Sequence, residues 1–238
     1  VDELGLPADD HIAVSGAEAP LKLRNGYASG KVMQSEEYYA VYPASALEYF
    51  TPGDQSGIAL NLPTVQTAVK GGIPAGTAIS VTSTSSADMS LKFKSVISYL
   101  KLTVTPEAGK ITAISIISYD GVRISGEFYI DCNDTGKSVY PLANSASNVV
   151  LKPKGEYFEP GDYYIAVLPN VFDEGFYVVV ENESGRFNLS RRSTSNVQSE
   201  TLICDLGSIG YLEYPYDGFD KYSTYTSVAQ SGGNLIMT

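Results

Sequence analysis

The stretch Ser95-Val96-Ile97-Ser98-Tyr99-Leu100-Lys101-Leu102-Thr103-Val104, followed after a Pro106–Gly109 turn by Ile111-Thr112-Ala113-Ile114-Ser115-Ile116, decides the reading of the chain. Apolar residues fall at Leu100, Leu102 and Val104 with polar ones between them, the period of a half-buried β-strand. The same pattern recurs on either side. Downstream it marks Gly126–Asp131, Asn148–Lys152, Tyr163–Leu168, Phe176–Glu181, Arg186–Ser190 and Thr201–Leu206. Upstream, less sharply, it marks His11–Val14, Leu21–Arg24, Tyr38–Tyr42, Ile58–Leu62 and Ala78–Thr82. Each run is short, rich in β-branched or aromatic residues, and bounded by Gly, Pro, Asn or Asp. Such spacing, with no helical period between runs, predicts an all-β chain of antiparallel sandwiches. The one helix candidate is Ala44–Phe50. The polar run Thr82-Ser83-Thr84-Ser85-Ser86 is expected as a linker or as an exposed hairpin at a domain edge.

Composition narrows the function classes. The 238 residues are 43% hydrophobic, enough for one large or two smaller cores, which argues against a disordered or low-complexity chain. A net charge of −11, with Arg191-Arg192 the only adjacent basic pair, argues against nucleic acid, whose binding rests on clustered Lys and Arg. No apolar run approaches the roughly 20 residues that span a bilayer as a helix. Tyr outnumbers Phe, 18 to 8, as suits β surfaces where a ring packs and its hydroxyl reaches water. Two cysteines, Cys132 and Cys204, leave open a single bridge or two thiols.

Catalytic and ligand motifs are sparse. His11 is the sole histidine, so Ser-His-Asp, Cys-His and zinc constellations have little to draw on. Thr135-Gly136-Lys137-Ser138 mimics the end of a phosphate-binding loop, but Asp131 stands where the first Gly belongs and Pro141 follows. Asp131-Cys132-Asn133-Asp134-Thr135-Gly136 resembles the start of a calcium loop, yet position 12 is Leu142, which cannot supply the bidentate carboxylate. Both read as turns, and Asp217 and Asp220 are equally unspecific. Carboxylate pairs for glycoside hydrolysis are spatial, and 27 acids always offer one; a solvated acidic surface accounts for them. Tyr38, Tyr42, Tyr157 and Tyr177 are candidates for stacking sugars, although strand packing explains each and the chain has no Trp. No catalytic, cofactor-binding or metal-ligating residue is assigned, and the chain is expected not to be an enzyme.

Tyr38-Tyr39-Ala40-Val41-Tyr42-Pro43 is echoed by Tyr163-Tyr164-Ile165-Ala166-Val167-Leu168-Pro169, each after an acidic residue (Glu37, Asp162), which suggests two sandwiches of related design. The first of these strings, with Leu60-Asn61-Leu62-Pro63-Thr64-Val65-Gln66-Thr67-Ala68 and Leu91-Lys92-Phe93-Lys94-Ser95-Val96, opens a series. It continues through Ile111–Ile116, Ile124-Ser125-Gly126-Glu127, Gly161–Pro169 and Glu174-Gly175-Phe176-Tyr177-Val178. The series, over about residues 10–210, resembles the fimbrillin-like proteins of Bacteroidetes.

That resemblance implies two transthyretin-like antiparallel sandwiches with Greek-key-type connections, divided here as 1–88 and 89–238. It implies export to the outer membrane, cell surface and fimbrium through a lipid anchor on a precursor. Proteolysis of that precursor would remove early strands, opening a groove in the first sandwich. A strand donated by another fimbrial subunit, the same or an accessory one, would fill the groove. The function so implied is pilus assembly and adhesion to a host or bacterial surface ligand, with no cofactor. The alternative is a cell-surface glycan-binding sandwich, and a remoter one is a calcium-dependent hydrolase fragment. The Tyr-rich tail from Tyr211 to Thr238 lies outside the matching blocks and is a final strand with a loose end, a donor segment or an aromatic contact surface.

Overall fold

The computed structural model describes residues 11–51, 57–132, 138–169, 172, 175–192 and 203–213. In chain order the strands are β1 (His11–Val14), β2 (Leu21–Arg24), β3 (Tyr27–Ser29), β4 (Glu37–Tyr42), β5 (Leu47–Thr51) and β6 (Gly57–Leu62). They continue with β7 (Val65–Thr67), β8 (Ser80–Ser85), β9 (Lys94–Ser95), β10 (Ser98–Val104), β11 (Ile111–Ser118) and β12 (Ser125–Asp131). The last six are β13 (Val139–Ala146), β14 (Asn148–Lys152), β15 (Gly161–Val167), β16 (Phe176–Asn182), β17 (Phe187–Arg192) and β18 (Ile203–Ile209). The chain is all-β, as the period-2 runs predict.

Among the described residues, four sheets make two sandwiches. A six-stranded sheet, β3-β2-β1-β4-β8-β9, faces a four-stranded sheet, β13-β12-β6-β5, across a core that includes Val41, Val81, Ile58, Leu60, Phe128 and Ile130. A three-stranded sheet, β15-β10-β18, faces a five-stranded sheet, β17-β16-β11-β14-β7, across a larger core that includes Leu100, Leu102, Ile114, Ile116 and Ile165. Pairing is antiparallel except for β18 on β10 and β7 on β14. β4 shows how sequence sets this up. Tyr39 and Val41 face the first core, while Tyr38 and Ala40 face a smaller cluster on the other side, with Ile12 and Leu21. A strand covered on both faces carries a continuous apolar run.

Backbone ladders cross the expected division at 88/89 three times, one of them the short pairing of β8 with β9. β12 pairs with β6 from Gly126 opposite Leu62 to Asp131 opposite Gly57, and β7 pairs with β14. Gln66 adds a side-chain link. Its side-chain amide donates to Ala166 O (2.8 Å) and Pro63 O (3.2 Å), and accepts from Ala166 N–H (2.9 Å). The two echoed strands occupy unlike places: β4 lies inside its sheet, whereas β15 is at an edge among the described residues.

Two local expectations are corrected. Ala44–Phe50 is not a helix but a 3-10 turn, Ala44–Ala46, running into β5. A seven-residue helix is marginal in water, and Leu47–Thr51 instead form a strand beside β6 with Phe50 against the first core. Thr82–Ser86 is not a linker: Ser80–Ser85 form β8, paired along its length with β4, and the run is the largely exposed arm of the antiparallel β8–β9 hairpin, the other form expected for it. Its β-branched threonines suit a strand even though its polarity suggests a loop. Three strands went unread: β3, β7 and β13. The last is polar and contains Pro141, as an edge strand tolerates.

The outer side of β10 carries a charge pairing that sets a pH response. Lys101 Nζ lies 3.1 Å from Asp162 Oδ2 and 3.5 Å from Asp205 Oδ2. The Thr103 hydroxyl donates to Asp162 Oδ1, and that bond, then the one from Lys101, holds the Asp162 carboxyl below its ordinary value. A depressed carboxylate contributes stability above its unfolded-state pKa and loses it as pH falls through the folded value. The melting temperature is therefore expected to fall as pH drops below about 4. Asp162→Asn should flatten that part of the profile in scans from pH 5 to pH 2.5, while an unchanged slope would refute the assignment.

Candidate assembly groove

At one end of the first sandwich the two sheets part and leave an open groove of about 680 Å³. Its walls come from Ser15 and Gly16 after β1, from Met33–Glu37 leading into β4, and from Phe50 and Thr51 of β5. Alternation along β4 turns Tyr39 inward, and alternation along β5 does the same for Phe50. Both are half-buried, packed against the first core and open to the groove. Tyr39 is held in place: its backbone N–H donates to Ser15 Oγ (2.9 Å) and its hydroxyl to Glu37 Oε2 (3.0 Å). Met33, 70% exposed, adds an apolar lip.

The strand beside this groove is an edge. β5 pairs with β6 on one side, and among the described residues no strand pairs on its other side. An edge strand presents backbone N–H and C=O groups that can template another chain. A second edge lies on the opposite sheet. Pairing of β8 with β9 involves only Ser80 and Val81, so Thr82–Ser85 border a polar groove of about 270 Å³ lined also by Lys92 and Lys94. There the Thr84 hydroxyl oxygen is buried without a hydrogen-bond partner.

The tyrosines singled out as a sugar platform do not form one. Tyr38 is buried and accepts a hydrogen bond from the Ser35 N–H, and Tyr177 is buried against Tyr119. Tyr42 packs edge-on to Phe93. Tyr157 lies under Lys110 Nζ, 5.0 Å from the ring centroid, and its hydroxyl donates to Glu183 Oε2. His11 begins β1 opposite Lys22. No disulfide joins the cysteines: Cys132 packs against the first core and Cys204 against the second. Asn133–Lys137, which hold most of the calcium-like and phosphate-like loops, lie outside the described residues, as do Asp217, Asp220 and the tail beyond Glu213. Among the described residues no group of three or more His, Cys, Asp or Glu could hold a metal, and no helix is long and apolar enough to cross a membrane.

The groove was not legible in sequence. Phe50 sat in the helix candidate, and Met33–Glu37 carry no periodic signal, so only the strand before Pro43 pointed to the region.

No protein-family model matches the chain, and no curated protein does. Solved structures do. The chain is similar to a provisionally assigned cell adhesion protein from Bacteroides uniformis, at 12% identity and a TM-score of 0.53, covering 87% of this chain and 89% of that one. A second protein of the same provisional description, from Bacteroides ovatus, gives 14% identity and a TM-score of 0.48, with 81% and 79% covered. At such identities the likeness to the Bacteroides uniformis protein is one of fold, and the fold it supports is the all-β sandwich described above.

Proposed function

We infer that this chain is a non-enzymatic subunit of, or protein associated with, the fimbriae of a Bacteroidetes cell surface, acting in assembly and adhesion by β-strand addition. The observation that carries the reading is the groove beside β5. A strand laid along that edge would complete the backbone ladder of the four-stranded sheet and cover Tyr39 and Phe50, which are half-buried beside it. The description of the Bacteroides uniformis protein as a cell adhesion protein agrees with this reading, as does the resemblance to fimbrillin-like chains. The partner is another fimbrial subunit, and a surface ligand is met through the assembled fibre. Export to the outer membrane by a lipid-anchored precursor belongs to the same proposal. Backbone pairing needs no cofactor, catalytic residue, nucleic acid or membrane-spanning segment.

The groove is tested by assembly of the purified, protease-trimmed chain, read as a ladder on unboiled gels and by size-exclusion chromatography. Wild-type protein should form higher bands. Met33→Asp, at an exposed lip, should abolish most of them while leaving the melting temperature within about 2 °C, since exposed substitutions change stability little. Phe50→Arg should have a larger effect on assembly with some loss of stability. A wild-type ladder that Met33→Asp and Phe50→Arg both leave intact would place assembly elsewhere on the molecule.

A further inference from the structure

The outer face of the four-stranded sheet carries an aromatic row that belongs to none of the cores. The register sets Tyr140 opposite Tyr129, Tyr129 opposite Ala59, and Ala59 opposite Tyr49. Residues directly opposite in a ladder share a face, so one row crosses β13, β12, β6 and β5. Their neighbours Phe128, Ile130, Ile58 and Leu60 turn the other way, into the core, which points the row outward. Tyr49 is 54% exposed and Tyr140 51%, while Tyr129 is half-buried. The floor is small: Gly57 and Ala59 are both buried. A Cβ at Gly57 would run into the Tyr129 ring, so that ring lies along the sheet instead of standing away from it.

Polar rows border the aromatic one. On one side Asn61 sits opposite Glu127, and Asn144 Nδ2 donates to both carboxylate oxygens of Glu127 at 3.1 and 3.2 Å. On the other side Asp131 and Thr51 flank Gly57.

We propose that this face binds a neutral glycan chain, with pyranose units stacked on Tyr49, Tyr129 and Tyr140. A pyranose offers a face of C–H bonds to the electron-rich face of a tyrosine, and hydroxyls at its rim to carboxylates and amides. Glu127, Asp131 and the Asn61 and Asn144 amides stand where those hydroxyls would fall. Neighbouring strands are about 4.8 Å apart, so Tyr129 and Tyr140 are one strand step apart and Tyr49 two steps further. That spacing is comparable to the advance of successive sugar units. The strip is one ring wide between polar rows, too narrow for the apolar centre of a protein interface of about 800 Å² per partner. The acidic border, on a chain of net charge −11, repels anionic polymers. The proposal names the ligand class of the adhesion reading and rests on that part of it; the platform is separate from the assembly groove.

The test is affinity electrophoresis of the full chain in gels cast with hydroxyethylcellulose, yeast α-mannan, xyloglucan or β-1,3-glucan, alongside the assembly ladder. Retardation by at least one of these polymers is expected. Tyr140→Ala and Tyr49→Ala, both at exposed positions, should each weaken it about tenfold with the fold intact. Tyr140→Phe should retain it, because a ring is what stacks. The same variants should assemble normally, so loss of the ladder would instead indict the groove. No retardation by any of the four polymers, or retardation unchanged in the Tyr49→Ala/Tyr140→Ala double variant, overturns the proposal. So does capture of a protein ligand that these substitutions abolish while no polysaccharide is bound.

Discussion

Residues 1–88 expressed alone are expected to show no cooperative thermal or urea transition, although the sequence suggests a domain there. The first core is closed by side chains from far downstream: Val96, Ile97, Tyr99, Phe128, Ile130, Ala166 and Leu168 all belong to it. Without them Val41, Ile58, Leu60 and Val81 lose the surface they pack against, and the fragment exposes apolar area it cannot bury. β6 would also lose β12, its partner over six residues, and leave an apolar edge open to self-association. Extending the fragment to residue 169 supplies all seven side chains and should restore a transition. Circular dichroism and urea titration of both fragments check this, and a two-state melt from 1–88 would refute it.

Gln66→Leu should destabilise the whole chain by about 2–5 kcal/mol, because it strands both the N–H and the C=O of Ala166 in a buried site, each costing roughly 1–3 kcal/mol. Gln66 is 2% exposed, and Ala166 is fully buried, so water cannot substitute. Leucine is close in volume, so the loss reports the hydrogen bonds and not a cavity. Thr67→Ala, at an exposed neighbour on the same strand, should change stability by less than about 0.5 kcal/mol and serves as control. The measurement is urea unfolding followed by both circular dichroism and tyrosine fluorescence. A Gln66→Leu shift no larger than that of Thr67→Ala would show the amide pairing to be dispensable.

What the sequence disclosed and what it hid have separate physical causes. β1, β2 and β14 begin and end at the residues read from the sequence, because short apolar runs there are bounded by turn-forming Pro, Gly, Asn and Ser. β13 and the second half of β8 were hidden because edge and near-edge strands with little burial carry polar residues indistinguishable from loop. β5 was misread because a run of five residues has room for too few turns of either period. The downstream closure of the first core has no local signature at all: Phe128 in β12 looks like any strand phenylalanine, and only pairing with β6 tells which core receives it. The tyrosine platform was hidden for the same reason. Tyr49, Tyr129 and Tyr140 are scattered over 92 positions and meet only through register, whereas Tyr38 and Tyr177, singled out from the sequence, are those that packing uses up.

The crossing of β12 and β7 between sandwiches has a mechanical consequence. If each sandwich were a separate bead, tension between residues 11 and 213 would extend the link near residue 88 and could rupture one bead while sparing the other. Here Gly57–Leu62 is laddered to Ser125–Asp131, and Val65–Thr67 to Val150–Lys152. A pull along the chain meets these ladders before the link at 88 bears the load, and the bonds of a ladder loaded along its strands share the strain. The molecule should therefore yield in one high-force event instead of two smaller ones.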